Sequence, residues 1–99
     1  MQIISVRDKR VKALVEDTAL TSVKGLDALE VRKISEMIIA LRIMADPVEL
    51  FAFPEWKAHI LRGDRAGTWS LTVTRNWRLT FMADVETQEV TLLDYEDYH

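Results

Sequence analysis

Asp97, Tyr98 and His99 place a carboxylate, a phenol and an imidazole on consecutive residues, and the chain's other histidine, His59, lies forty positions earlier. Around His59 the charge is locally positive. From Phe51 to Thr80 the cations Lys57, Arg62, Arg65, Arg75 and Arg78 face only Glu55 and Asp64, whereas from Phe81 onward there is no Lys or Arg and six acids. Imidazoles move protons near neutrality, and a short positive strip can hold one or two phosphates even though the whole chain carries a net charge of −3. That total argues against indiscriminate nucleic-acid binding, so any anion site is expected to be local. With no cysteine in the sequence, disulfides, thiolate metal sites and thiol nucleophiles are excluded.

These residues need rigid elements to position them. Ninety-nine residues suffice for one core without staples, and no repeat, low-complexity tract or linker divides the chain, so a single domain over residues 1–99 is expected. No signal-like segment and no apolar run of membrane length interrupts it; a soluble, cytoplasmic protein without a membrane partner is expected. Ile3, Ile4 and Val6 suggest an opening strand. Val11, Leu14 and Val15 follow helical spacing, and Val31, Ile34, Met37, Ile38, Leu41 and Met44 form one stripe along a helix from about Leu26 to Ala45. Asp46-Pro47-Val48-Glu49 reads as a third helix start, with a capping residue, proline at the first position and glutamate three after the cap. That short helix should end near Phe53-Pro54.

Beyond Pro54 the period becomes two. Trp56, Ala58 and Ile60 alternate with Lys57 and His59; Trp69, Leu71 and Val73 with Ser70, Thr72 and Thr74; Trp77, Leu79 and Phe81 with Arg78 and Thr80. Residues 63–67 form a glycine-bearing hairpin loop, Thr74-Arg75-Asn76 a tight turn, and residues 84–88 a polar turn before a last strand from Glu89 to about Tyr95. The predicted fold class is α+β, with two to three N-terminal helices packed on one face of a small, mainly antiparallel sheet. If the Trp, Leu and Phe positions face the helices, then Lys57, His59, Ser70, Thr72, Arg78 and Thr80 share the other face, where strands hold a site more tightly than loops do. Leu61 and Met82 break the alternation. With Val90 and Leu92 in the core, Tyr95 would point outward, and Asp97, Tyr98 and His99 could not all share the open face unless the regular strand ended first.

Three stretches in order, Arg62-Gly63-Asp64-Arg65-Ala66-Gly67-Thr68-Trp69-Ser70, Arg75-Asn76-Trp77-Arg78-Leu79-Thr80-Phe81 and the terminal Asp94-Tyr95-Glu96-Asp97-Tyr98-His99, resemble the HigB toxins of the RelE/ParE superfamily, the plasmid maintenance killer proteins. The resemblance spans nearly the whole chain and implies a RelE-like fold. It also implies a ribosome-dependent endoribonuclease that cuts mRNA in the decoding site, needs no cofactor and no metal, and is silenced by a helix-turn-helix antitoxin. Its partners would be that antitoxin and the mRNA-bearing ribosome, with DNA reached only through the antitoxin complex.

Metal-free RNA cleavage makes the 2′-hydroxyl a nucleophile toward the adjacent phosphorus and leaves a 2′,3′-cyclic phosphate and a 5′-hydroxyl. It calls for a base, an acid and cations. On the resemblance, His59 and His99 would exchange the protons, Tyr98 would stack on a base or assist transfer, Asp97 would orient or charge-pair an imidazole, and Arg62 and Arg78 would grip the scissile phosphate. Ribosome-directed toxins of this kind resemble one another in being basic. In an acidic chain, either the acids of the last hairpin face away from RNA, or the toxin is mild, or the target differs. A ParE-like gyrase-binding toxin and an antitoxin-binding module without nuclease activity are the alternatives; neither needs the histidines.

Overall fold

The computed structural model describes residues 1–98; His99, one of the expected catalytic residues, lies outside the described residues. The elements follow in the order β1 (Gln2–Ile3), α1 (Lys9–Glu16), α2 (Ala28–Ile43), β2 (His59–Ile60), β3 (Trp69–Thr72), β4 (Trp77–Asp84) and β5 (Glu89–Asp97), with short 3-10 helices at Pro47–Ala52, Pro54–Trp56 and Gly63–Arg65. The five strands form one sheet in the order β1-β5-β4-β3-β2, antiparallel throughout except where β1 runs parallel to β5. The helices and the sheet share one buried cluster, the α+β layering expected from helices first and a meander second. Among the described residues no helix is long and apolar enough to cross a membrane.

Each helix starts where its cap dictates. Asp8 accepts the amides of Arg10 and Val11, and Asp27 and Glu30 close a reciprocal capping box at the start of α2. Asp46 and Glu49 close another, but the segment behind it winds as a 3-10 helix. Val31, Ile34, Met37, Ile38, Leu41 and Met44 are all buried, as their spacing predicts. At the far end of α2 the Met1 ammonium donates to the carbonyls of Leu41, Arg42 and Met44 at 2.8–3.1 Å, where the helix dipole is negative.

Two strand expectations need correction. The stretch from Trp56 to Ile60 is not one alternating strand: Trp56 closes a 3-10 turn, Lys57 takes a left-handed conformation with φ 47°, and only His59 and Ile60 pair with the sheet. The 3-10 turn Pro54–Trp56 takes Trp56 out of the alternation, and the left-handed Lys57 redirects the chain before His59. Ile60 is consequently 49 % exposed on the edge, outside the core.

The second correction concerns β5. Thr80 pairs with Asp94 and Met82 with Thr91, so β5 carries one residue more than β4 opposite Phe81. This β-bulge places Leu92 at φ 55° and turns its side chain to solvent, while Val90, Leu93 and Tyr95 all enter the core. The strand does not end early; it runs to Asp97 with its parity inverted after the bulge. Asp94, Glu96 and Tyr98 therefore lie opposite the core, and Asp97 shares the parity of Tyr95.

Candidate active site

The inverted parity builds one continuous row across the far face of the sheet. His59 on β2 lies opposite Ser70 on β3, Ser70 opposite Thr80 on β4, and Thr80 opposite Asp94 on β5. The next row joins Thr72, Arg78 and Glu96. With strands about 4.8 Å apart, His59 and the terminal strand stand roughly 14 Å from each other. A ligand reaching both must lie across the sheet.

His59 is exposed, and its Nδ1 sits 2.9 Å from the carbonyl oxygen of Lys57. A carbonyl only accepts, so Nδ1 carries the hydrogen and, in the neutral ring, Nε2 keeps the lone pair. The left-handed Lys57 supports this contact by turning the chain just before the strand. Lys57 itself lies before the paired strand residues and is exposed.

Arg78 and Tyr98 come together. The Arg78 guanidinium carbon lies 4.8 Å from the centre of the Tyr98 ring, a cation–π arrangement. Its Nη1 donates to the carbonyls of Thr74, Arg75 and Trp77 at 2.9–3.2 Å, which anchors the guanidinium at the β3–β4 turn. Tyr98 is 52 % exposed, and its amide donates to the Asn76 carbonyl at 2.6 Å. Asp97 is exposed and pairs across with Trp77, so it lies on the opposite parity from Tyr98. Arg62 is exposed in the loop after β2, at the N-cap of the Gly63–Arg65 turn.

The expected open face is not uniformly open. Ser70 is 0 % and Thr80 2 % exposed, and a tie absent from the sequence expectations holds Thr80. Arg65 and Glu96 form a double hydrogen-bonded ion pair at 2.8 and 2.6 Å, and Glu96 also accepts from the Thr80 hydroxyl. The Arg65 hydrogen bond draws the Glu96 carboxyl below its ordinary range against the upward push of burial, and Glu96 raises Arg65 in return. Arg65 and Glu96 are 31 residues apart; the available signal was that both fall inside the stretches carrying the family resemblance. A pocket of about 140 Å³ opens between this tie, Thr80, Asp97 and Tyr98. The buried Ser70 hydroxyl, on the residue paired with Thr80, has no hydrogen-bond partner among the described residues.

On the core side a second network holds β5 in place. The Tyr95 ring stacks on Trp77 with centroids 4.9 Å apart, and the Arg10 guanidinium lies 5.3 Å from both rings. The Tyr95 hydroxyl donates to Glu30 on α2. Burial foremost, with Glu30 adding to it, pushes the phenol well above its ordinary pKa, so it remains a donor at physiological pH. No group of three or more His, Asp or Glu side chains able to hold a metal ion occurs among the described residues.

The chain is 38 % identical over 95 residues to Endoribonuclease HigB from Proteus vulgaris, covering 96 % of this chain and 97 % of that relative. Among solved structures, the YoeB/ParE toxin from Agrobacterium tumefaciens shares the fold with a TM-score of 0.57 at 21 % identity, over 100 % of this chain and 99 % of the other. The RelBE2 toxin–antitoxin complex from Mycobacterium tuberculosis aligns more loosely, with a TM-score of 0.45 at 17 % identity over 99 % of this chain and 96 % of the other. No protein-family model matches the chain.

Proposed function

The chain belongs to the HigB family of endoribonucleases within the RelE/ParE toxin superfamily, and from that premise we propose that the far face of its sheet cleaves ribosome-bound mRNA by metal-free acid–base chemistry. The domain, residues 1–99, acts in the cytoplasm as the toxin of a type II pair whose antitoxin is a helix-turn-helix protein; DNA is approached only through their complex.

The observation that carries the mechanism is the contact between His59 Nδ1 and the Lys57 carbonyl. It leaves Nε2 as the proton acceptor of the neutral ring, which supports His59 as the base. The 2′-oxygen attacks the adjacent phosphorus while its proton passes to Nε2; the P–O5′ bond breaks, and the departing oxygen takes a proton from the acid, a role that falls to His99. The products are a 2′,3′-cyclic phosphate and a 5′-hydroxyl. Arg78, already anchored through Nη1, presents its remaining N–H donors to the phosphate, where charge accumulates in the transition state. Arg62, exposed in the loop beside β2, approaches from the edge. Tyr98 extends the Arg78 stack onto a base, and Asp97 orients the terminal imidazole.

The acids of the last hairpin bear on the choice of target. Asp84, Glu86 and Glu89 lie at its far end, away from His59, and Glu96 is neutralised by Arg65. Asp94, in the row of His59, and Asp97, beside Tyr98, remain near the face, so this arrangement lessens the opposition of the net charge to RNA binding without removing it.

Expressing the chain with His99 deleted, and separately with Arg78→Ala, tests the reading through growth and the integrity of a translated reporter mRNA. Both changes are expected to restore growth and leave the reporter intact. Undiminished toxicity without His99 would defeat the histidine mechanism and return the case to a toxin that acts by binding alone.

A further inference from the structure

Helix α2 is apolar on two sides. Its main stripe is buried against the sheet, yet Ile39 and Ile43, four residues apart and 44 % and 79 % exposed, lie on another side. A helix with one packing partner shows a single apolar stripe and a polar back. The second stripe forms a wall of a groove of about 640 Å³ between α2 and the 3-10 turns after it. Opposite stand Phe53 and Trp56, stacked with centroids 4.1 Å apart and planes within 10°. This rigid aromatic step is joined to the Ile pair by the small Ala40 and Ala52.

The charges around the groove are of one sign. Glu36, Glu49 and Glu55 line it, and no Lys or Arg does. Glu49 also accepts the amides of Ala45 and Asp46, so its carboxylate is fixed in place. Three carboxylates repel phosphate, which makes this surface unfit for RNA. They equally oppose a two-fold pairing of this groove with itself, because such an interface brings the same patch of both copies together.

We propose that this groove docks an amphipathic helix of a protein partner. Large apolar side chains at i and i+4 would enter between Ile43 and Trp56, and flanking Lys or Arg residues would meet Glu36, Glu49 and Glu55. Apolar anchors at helical spacing are the usual content of helix-in-groove recognition, and the carboxylates select the charge of the partner. The site lies on the helical layer, whereas His59 and Arg78 lie on the far sheet face, so the inference goes beyond the RNA-cleavage reading and stands independently of it.

The test uses the full chain and two short synthetic helical peptides. Each has Leu at i, i+4 and i+7; one is flanked by Lys, the other by Glu. Titration calorimetry is expected to show the Lys peptide binding at least about tenfold more tightly. Ile43→Asp, at a well-exposed position, should weaken that binding about tenfold or more, and combining Glu36→Lys with Glu55→Lys should invert the preference. Reporter cleavage by these variants should match the parent chain, which separates a failed groove from a failed nuclease. Equal binding of both peptides, binding of neither, or indifference to the charge reversal would overturn the proposal. So would a dimer of the parent chain in sedimentation that Ile43→Asp dissolves, since a second copy would then be the occupant.

Discussion

At His59 one backbone contact determines which ring nitrogen can accept a proton. The Lys57 carbonyl takes the Nδ1 hydrogen, so replacing His59 with Ala should slow single-turnover cleavage by about 10² to 10⁴, the usual range for one acid–base group. For Arg78, the three carbonyls of Thr74, Arg75 and Trp77 fix a planar fork that a lysine cannot reproduce. Arg78→Lys should therefore lose most of what Arg78→Ala loses, about 10² to 10³ in cleavage rate, with the thermal midpoint almost unchanged. Tyr98 separates two roles: Tyr98→Phe keeps the ring over the guanidinium and should retain most activity if stacking is its function, whereas Tyr98→Ala should not. Rates measured for the pair decide between stacking and proton transfer. His59, Arg62, Arg78 and Tyr98 were candidates through the resemblance to HigB toxins, since residue type alone would leave them as surface groups. The Arg65–Glu96 tie was not, since nothing local signals a contact made by two residues so far apart in the chain.

At the scale of elements, the bulge in β5 decides which side chains reach the site. Were β5 to keep Leu92 and pair residue for residue with β4, every later side chain would exchange faces: Tyr95 would leave the core and Glu96 would enter it. Deleting Leu92, which is 43 % exposed, should instead remove the bulge with Leu93 opposite Phe81 and Tyr95 still in the core, so cooperative unfolding should persist in a urea titration, whereas inserting one further residue there should abolish it. The network beneath is testable more gently. Tyr95→Phe removes the hydroxyl that donates to Glu30 and should cost about 1 kcal/mol in the same titration, because Glu30 keeps its capping bond to the Asp27 amide. Helix α2 was legible down to its stripe because a 3.6-residue period sustained over sixteen residues has few competitors. The bulge was hidden because Leu92 and Leu93 are both apolar, and either could have filled the core position. Similarly, the shortened β2 was hidden because Trp56, Ala58 and Ile60 alternate as a strand would, while Pro54 and a left-handed Lys57 impose turns that the alternation does not reveal.

For the whole molecule, the distribution of charge matters more than its sum. Of the positive segment, Arg78 lies on the far sheet face, Lys57, Arg62 and Arg75 lie in the turns and loops flanking its strands, and Arg65 is neutralised by Glu96, while the groove on the helical layer is acidic. RNA binding should thus depend on salt only modestly: with about four phosphates engaged at roughly −0.7 each, the log–log slope should be near −3. Acid should act through Glu96 and Asp8, the two carboxylates held below their ordinary range. A carboxylate whose folded-state pKa is depressed contributes its stabilisation in full above its unfolded value and loses it as pH falls toward the folded one. Stability should therefore decline below about pH 4.3, and Glu96→Gln should flatten that decline in denaturation midpoints followed from neutral to acid. The most direct measurement for the molecule as a whole is a structure of the chain on a ribosome carrying mRNA with a 2′-O-methyl group at the scissile position. The methylated oxygen is predicted to lie about 3 Å from His59 Nε2, with the adjacent phosphate on Arg78 and the strand crossing the far face of the sheet. An mRNA path over α2, or a scissile phosphate beyond the reach of both His59 and Arg78, would contradict it.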